Sequence, residues 1–184
     1  MVMEVQRVSL PGLLLIKPQV FFDQRGHFAE TFNQARERRH NVPADYVQDN
    51  ESRSQKHILR GLHFQVPPYD QAKLVRVAAG KVLDVAVDLR VDSPTYGHHY
   101  AVELSSENHL QLFIPSGFAH GFLTLEDDTL FLYKCSQYYH KASEGGLHWN
   151  DPDLNIDWPV DDPLVSDKDQ KLPSFGAFQS PFSL

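Results

Sequence analysis

Lys81-Val82-Leu83-Asp84-Val85-Ala86-Val87-Asp88-Leu89-Arg90 alternates without a break: Leu83, Val85, Val87 and Leu89 fall on one side, and Asp84, Ala86, Asp88 and Arg90 on the other. A period of two is that of a β-strand, whose successive side chains point to opposite faces, so the segment predicts a strand with two distinct surfaces. Shorter apolar, aromatic or β-branched runs lie at residues 13–16, 58–64, 74–77, 100–104, 110–114, 121–125 and 130–133. Between them stand Ala79-Gly80-Lys81, Ser93-Pro94-Thr95-Tyr96-Gly97 and Pro115-Ser116-Gly117, each with Gly or Pro where a chain reverses. Many short strands separated by turns predict a jelly roll or barrel. Helix is scarce: residues 33–40 suit one short helix, capped by Asn33 and stopped by Pro43. The Asp- and Pro-rich tail after Trp158 is expected to wrap the barrel rather than extend it.

The chain of 184 residues, 41% of them hydrophobic, suits one well-buried core and is short for two, so a single domain over 1–184 is expected. No apolar run approaches the ~18 residues that span a bilayer, and Met1 to Glu4 opens without a basic region leading into an apolar one. The expectation is a soluble cytoplasmic protein without a membrane partner. Cys135 is the only cysteine, which leaves neither an internal disulfide nor a cysteine metal cluster. A net charge of −7 excludes a general nucleic-acid binder, which needs a basic surface to displace counterions. A few arginines and lysines converging in a pocket can still hold a small diphosphate.

Polar residues inside apolar, strand-like windows mark where chemistry can sit, because a buried polar group needs a partner or a pocket. In Arg60-Gly61-Leu62-His63-Phe64-Gln65, strict alternation sets Arg60, Leu62 and Phe64 against Gly61, His63 and Gln65. Spacing leaves His63 open between a hydrogen-bonded core histidine and a functional one. Ten histidines raise metal binding, but no carboxylate follows closely behind His63, and the adjacent His98 and His99 would point to opposite faces of a strand. Tyr133 and Cys135 alternate with Leu132 and Lys134; a buried tyrosine there either packs or donates a proton. His120 sits in Gly117-Phe118-Ala119-His120-Gly121-Phe122, whose glycines are explained by conformation alone.

Taken together, Phe22-Asp23, Arg25-Gly26, Gln48-Asp49-Asn50, Leu59 through Gln65, Lys73-Leu74-Val75-Arg76, Val87-Asp88-Leu89-Arg90, Ser93 through Gly97, Ile114-Pro115 through Phe122, Trp149-Asn150-Asp151-Pro152 and Ser166-Asp167-Lys168-Asp169 closely resemble the dTDP-4-dehydrorhamnose 3,5-epimerase family over residues 5 to 172. The resemblance implies an all-β, cupin-type jelly-roll barrel with a few short helices. It also implies proton abstraction and return at C3 and C5 of a dTDP-4-keto-6-deoxy sugar, in dTDP-L-rhamnose biosynthesis, with no cofactor and no metal.

By the same resemblance His63 would be the general base, Asp169 its orienting carboxylate, Lys73 the stabiliser of the enolate oxygen and Tyr133 the acid on the opposite face. Arg25, Glu30, Gln48, Asn50, Arg60, His120, Glu144 and Lys168 would bind substrate, and Tyr139 would stack on thymine, with Tyr138 the neighbouring alternative. Asp84 receives no role. The resemblance implies a homodimer with shared strands, so that residues near one N-terminus reach the partner's pocket. His27, Ala29 and Ala72 depart from the family's pattern and bear on selectivity more than on chemistry. Three other readings stay in view: an epimerase acting at C5 or C3 alone, a metal-dependent cupin enzyme using His63 and His120 as ligands, and a non-catalytic sugar-binding barrel.

Overall fold

A computed structural model describes residues 3–43 and 45–184. Its strands, numbered in chain order, form two six-stranded arrays. The first sheet runs, in spatial order, β1 (Glu4–Arg7), β2 (Leu14–Lys17), β10 (Gln111–Ile114), β7 (Lys73–Ala79), β12 (Thr129–Cys135) and β5 (Gln48–Ser54). The second runs β13 (Glu144–Gly146), β6 (Ile58–Gln65), β11 (Phe118–Thr124), β8 (Lys81–Asp88) and β9 (His99–Ser105), and β14 (Leu164–Val165) joins β6 in parallel. A hairpin of β3 (Val20–Asp23) and β4 (Gly26–Ala29) stands apart, followed by helix α1 (Gln34–Arg39). This is an all-β jelly-roll barrel of the cupin kind, as the turn-punctuated pattern predicts. None of the described helices is long and apolar enough to cross a membrane.

Three apolar clusters make the layers. Between the sheets, Val75, Val77, Leu112, Ile114 and Phe131 from the first meet Val82, Ala86, Leu104, Phe118 and Phe122 from the second. The outer face of the second sheet, with Leu59, Leu62, Val85, Val87 and Leu123, is covered by Leu154, Trp158, Val165 and Phe182 of the later chain. Ile16, Leu74 and Phe113 on the outer face of the first are packed with Met3 and Val42. β8 is therefore two-faced, but neither face meets water: Val85, Val87 and Leu89 pack outward while Val82, Asp84 and Ala86 point into the barrel.

All eight strand segments foreseen from the sequence form strands, and α1 starts where Asn33 Oδ1 accepts from Arg36 N at 3.1 Å. Pattern reading missed β5, β13, β14, β1 and the β3–β4 hairpin. In β5 the inward residues Gln48, Asn50 and Ser52 are polar because they line a cavity, so the strand carries no apolar stripe. The tail corrects its expectation in part. It wraps the second sheet, and it also extends it, through β14.

Candidate active site

One irregularity aims the reactive face. In β6 the pairing with β11 runs His63↔His120 and then Arg60↔Phe122, so three residues on one strand span two on the other. This is a β-bulge, and it cancels the strict alternation expected for residues 60–65: Arg60 and His63 both line the same cavity. The bulge rests on two glycines. Gly61 has φ 137°, and a Cβ there would stand 2.5 Å from Gly121 Cα, while a Cβ on Gly121 would stand 2.9 Å from Arg60 O. The two backbones approach more closely than any side chain permits.

The cavity has a volume of about 770 Å³ and opens between the sheets. His63 Nε2 lies 2.7 Å from Asp169 Oδ1, and Gly61 N donates to Asp169 Oδ2 at 3.4 Å. Burial opposes the charge on Asp169, yet His63, the Gly61 N–H and Ser166 together hold it below the usual carboxylate range. An ionised carboxylate only accepts, so the proton of the neutral ring sits on Nε2 and Nδ1 carries the lone pair. Asp169 arrives on the segment that follows β14, tethered by its own N–H donating to Ser166 Oγ at 3.1 Å.

A second imidazole–carboxylate pair lies beside the first. His120 Nε2 is 2.9 Å from Oδ2 of Asp84, a fully buried residue whose Oδ1 has no partner among the described residues. Burial pulls His120 down from the ordinary histidine value; Asp84 works against that, and Lys73 and His63 add to it. On the opposite wall, β7 and β12 supply Lys73 and Tyr133, both lining the cavity. Burial lowers the Lys73 ammonium, and Asp84 and Glu144 only partly restore it. Burial likewise raises Tyr133, so its phenol keeps its proton.

A smaller recess continues from the cavity, sharing His63, Lys73 and Tyr133 and adding Gln48, Asn50, Tyr139 and Glu144. Tyr139 Oη donates to Glu144 Oε2 at 3.0 Å, and Lys168 Nζ meets Glu144 Oε1 at 2.6 Å. Tyr139 rather than Tyr138 lines this recess. Of the sequence-derived residues, His63, Lys73, Arg60, His120, Tyr133, Lys168 and Asp169 converge on the cavity, and Gln48, Asn50, Tyr139 and Glu144 on the recess.

Arg25 and Glu30 are not brought there within one chain. Arg25 stands at the tip of the β3–β4 hairpin, 85% exposed and paired with Asp23, and Glu30 pairs with Arg36 at 3.0 Å. Sequence reasoning left out Asp84, Ser52 and Ser166. Asp84 had one legible signal, a carboxylate in the middle of the otherwise apolar run from Val82 to Val87. No three His, Cys, Asp or Glu side chains among the described residues form a metal-holding set, and His63 and His120 each turn Nε2 to a carboxylate.

The sequence model of the dTDP-4-dehydrorhamnose 3,5-epimerase family matches residues 7–177. The chain is 51% identical to the dTDP-4-dehydrorhamnose 3,5-epimerase of Shigella flexneri over 168 residues, 91% of this chain and 93% of that protein. Its fold superposes with a TM-score of 0.94 on the dTDP-6-deoxy-D-glucose-3,5-epimerase of Legionella pneumophila in complex with dTDP-4-keto-L-rhamnose, at 43% identity and full coverage of both chains. A 3'-monoepimerase of Streptomyces bikiniensis in complex with dTDP-quinovose is also similar, with a TM-score of 0.87 and 34% identity over 92% of this chain and 86% of that one. With a match that runs nearly from end to end at such identity, the chain belongs to the dTDP-4-dehydrorhamnose 3,5-epimerase family.

Proposed function

We propose that this chain, acting as one cytoplasmic domain, converts dTDP-4-keto-6-deoxy-D-glucose to dTDP-4-keto-L-rhamnose by inverting C3 and C5, a step of dTDP-L-rhamnose biosynthesis. The observation that carries the reading is the opposition of two walls: an imidazole oriented by a carboxylate on the second sheet, and a protonated phenol beside a desolvated ammonium on the first.

Each half of the chemistry balances without a cofactor. C3 and C5 are both α to the C4 ketone, so their protons are acidic once the oxygen is stabilised. His63 Nδ1 takes the proton, and the C–H pair becomes the enolate double bond as charge moves onto the C4 oxygen. Lys73 meets that charge. Tyr133 then returns a proton to the opposite face, and the enolate pair forms the new C–H bond. The imidazolium and phenolate exchange protons with solvent, and the sequence repeats at the second carbon. Asp169 favours the imidazolium formed in the first step.

Arg60, Lys168, His120, Asn50 and Gln48 surround the nucleotide sugar, and Tyr139 offers its ring to thymine from the recess. The working form is a homodimer in which the β3–β4 hairpin reaches the partner's pocket. Phe22 and Phe28 on that hairpin are 73% and 63% exposed, and Arg25 beside them faces solvent. This position suits delivery of Arg25 to a diphosphate bound in a second copy.

The test follows C3 and C5 protons of dTDP-4-keto-6-deoxyglucose by NMR in deuterated water without added metal. Wild type exchanges both positions, and His63→Asn slows exchange about 100- to 10,000-fold. Exchange at one carbon identifies a single-site epimerase. No exchange in wild type overturns the assignment and returns the metal-dependent reading.

A further inference from the structure

The turn carrying Tyr139 is held through its main chain by side-chain amides from three other parts of the fold. Gln71, just before β7, donates from Nε2 to Gln137 O at 2.7 Å. Gln65, the last residue of β6, donates from Nε2 to Tyr138 O at 3.2 Å and accepts at Oε1 from His140 N at 2.8 Å. Gln48, the first residue of β5, accepts at Oε1 from Tyr139 N at 2.8 Å. Four consecutive residues therefore each have a backbone group fixed by a glutamine from elsewhere in the chain. The second Nε2 hydrogen of Gln65 goes to Tyr69 O at 2.6 Å, and Tyr69 stacks on His140 at 3.8 Å between ring centroids.

Gln65 is only 4% exposed at the edge of the recess, both its donors are engaged and its carbonyl accepts from His140 N, so its hydrogen bonds are spent chiefly on the main chain around it. An amide at that depth is tolerated only because it is fully paired. Its pairing with two loops at once sets their spacing: residues 66–69 on one side and 138–140 on the other. Tyr139 itself is half exposed, so packing does little to hold its backbone, and the turn has no strand of its own to do so.

We infer that Gln65 and Gln71 are positioning residues for nucleotide recognition: with Gln48 they clamp residues 137–140 so that the Tyr139 ring is held in the recess before the base arrives. The inference rests on the reading of Tyr139 as the platform for thymine. A pre-ordered platform spares the ligand the cost of ordering the turn, and that saving falls on binding alone. The reacting groups His63, Lys73 and Tyr133 lie on β6, β7 and β12, whose pairing the clamp does not touch. The clamp therefore governs affinity for the nucleotide end and leaves turnover at saturation alone.

The experiment titrates dTDP alone into wild type, Gln71→Ala, Gln65→Glu and Tyr139→Ala by calorimetry, and measures KM and kcat for dTDP-4-keto-6-deoxyglucose with each. Gln65→Glu keeps the acceptor for His140 and sets a carboxylate against two carbonyls; Gln71→Ala, at a half-buried residue on the edge of the same recess, decides the matter alone should the buried change prevent folding. The expected result is a rise of about tenfold in Kd for dTDP and in KM for both glutamine variants, with kcat within about twofold. A fall in thermal stability with unchanged Kd and KM, while Tyr139→Ala weakens dTDP, overturns the clamp and leaves Gln65 and Gln71 as tethers. Unchanged dTDP binding in Tyr139→Ala overturns the platform reading and the clamp with it.

Discussion

On the wall built by β6, β11 and β8, both imidazoles are pinned: His63 by Asp169 at 2.7 Å and His120 by Asp84 at 2.9 Å. On the facing wall, built by β7, β12 and β5, the Lys73 ammonium and the Tyr133 hydroxyl make no hydrogen bond to any described residue, and burial is the largest influence on each. The difference follows from what each group has to do. A ring with two nitrogens needs its tautomer and orientation set before one of them can take a proton, and a carboxylate sets both. A phenol that gives a proton needs only to remain protonated, and an ammonium that meets an oxyanion needs to keep its charge in surroundings dry enough to make that charge count.

Removing the pin from one wall should therefore cost more than any single change on the other. Asp169→Asn leaves the geometry nearly intact but no longer selects the tautomer, and kcat should fall about 1,000- to 10,000-fold. Single-turnover exchange in deuterated water reads this directly. If Asp169→Asn retains a tenth of wild-type rate, orientation by the carboxylate is unimportant and the contrast between the walls collapses. Lys73→Met, which takes the ammonium from the dry wall, should slow exchange at both carbons about 100-fold, with little change in dTDP affinity.

Tyr133→Phe separates the walls by product rather than by rate. With the base side intact and the acid side gone, deuterium should still enter at C3 and C5 with retained configuration, while inversion falls about 100-fold. Equal loss of exchange and inversion would assign Tyr133 to the abstraction step instead. Gly121→Ala probes the scaffold of the pinned wall: the new methyl meets Arg60 O, so unfolding should come about 2 kcal/mol sooner, or ~6 °C lower.

The smallest effect is in acid. Asp169 is held below 3.8 in the folded protein, so its share of stability is complete above that value and is lost as pH falls through the depressed pKa. Chemical denaturation of wild type and Asp169→Asn should show a stability gap that is present at about pH 5 and closes as pH falls below about 4.

The strands legible in the sequence are those whose inward or outward face is apolar throughout, β8 foremost, because burial of one face imposes the two-residue period. β5 was illegible for the opposite reason: Gln48, Asn50 and Ser52 point inward, and Asp49, Glu51 and Arg53 are exposed, with Glu51 at the cavity mouth, so both faces are polar. His63 and Arg60 illustrate a different limit. Alternation places them on opposite faces, and only the bulge, made possible by contact between Gly61 and a glycine on another strand, brings them together. The roles expected for Arg25 and Glu30 find no geometry within one chain, because neither residue approaches the cavity.

His63 and Asp169 are separated by 106 positions, with β7 to β14 between them. Synthesis therefore finishes the two members of the pair far apart in time: at about 5–20 residues per second, the ribosome needs several seconds to travel from one to the other. When Gly146 has been added, every strand except β14 already exists as chain, and the imidazole still has no carboxylate beside it. At that stage the second sheet still lacks Leu154, Trp158, Val165 and Phe182, which cover its outer face, and the cavity lacks the wall built by residues 164–169. On the proposed chemistry, the base gains its carboxylate only when residues 164–169 dock along β6, so a chain that has not yet emitted them carries the other strands without the pair.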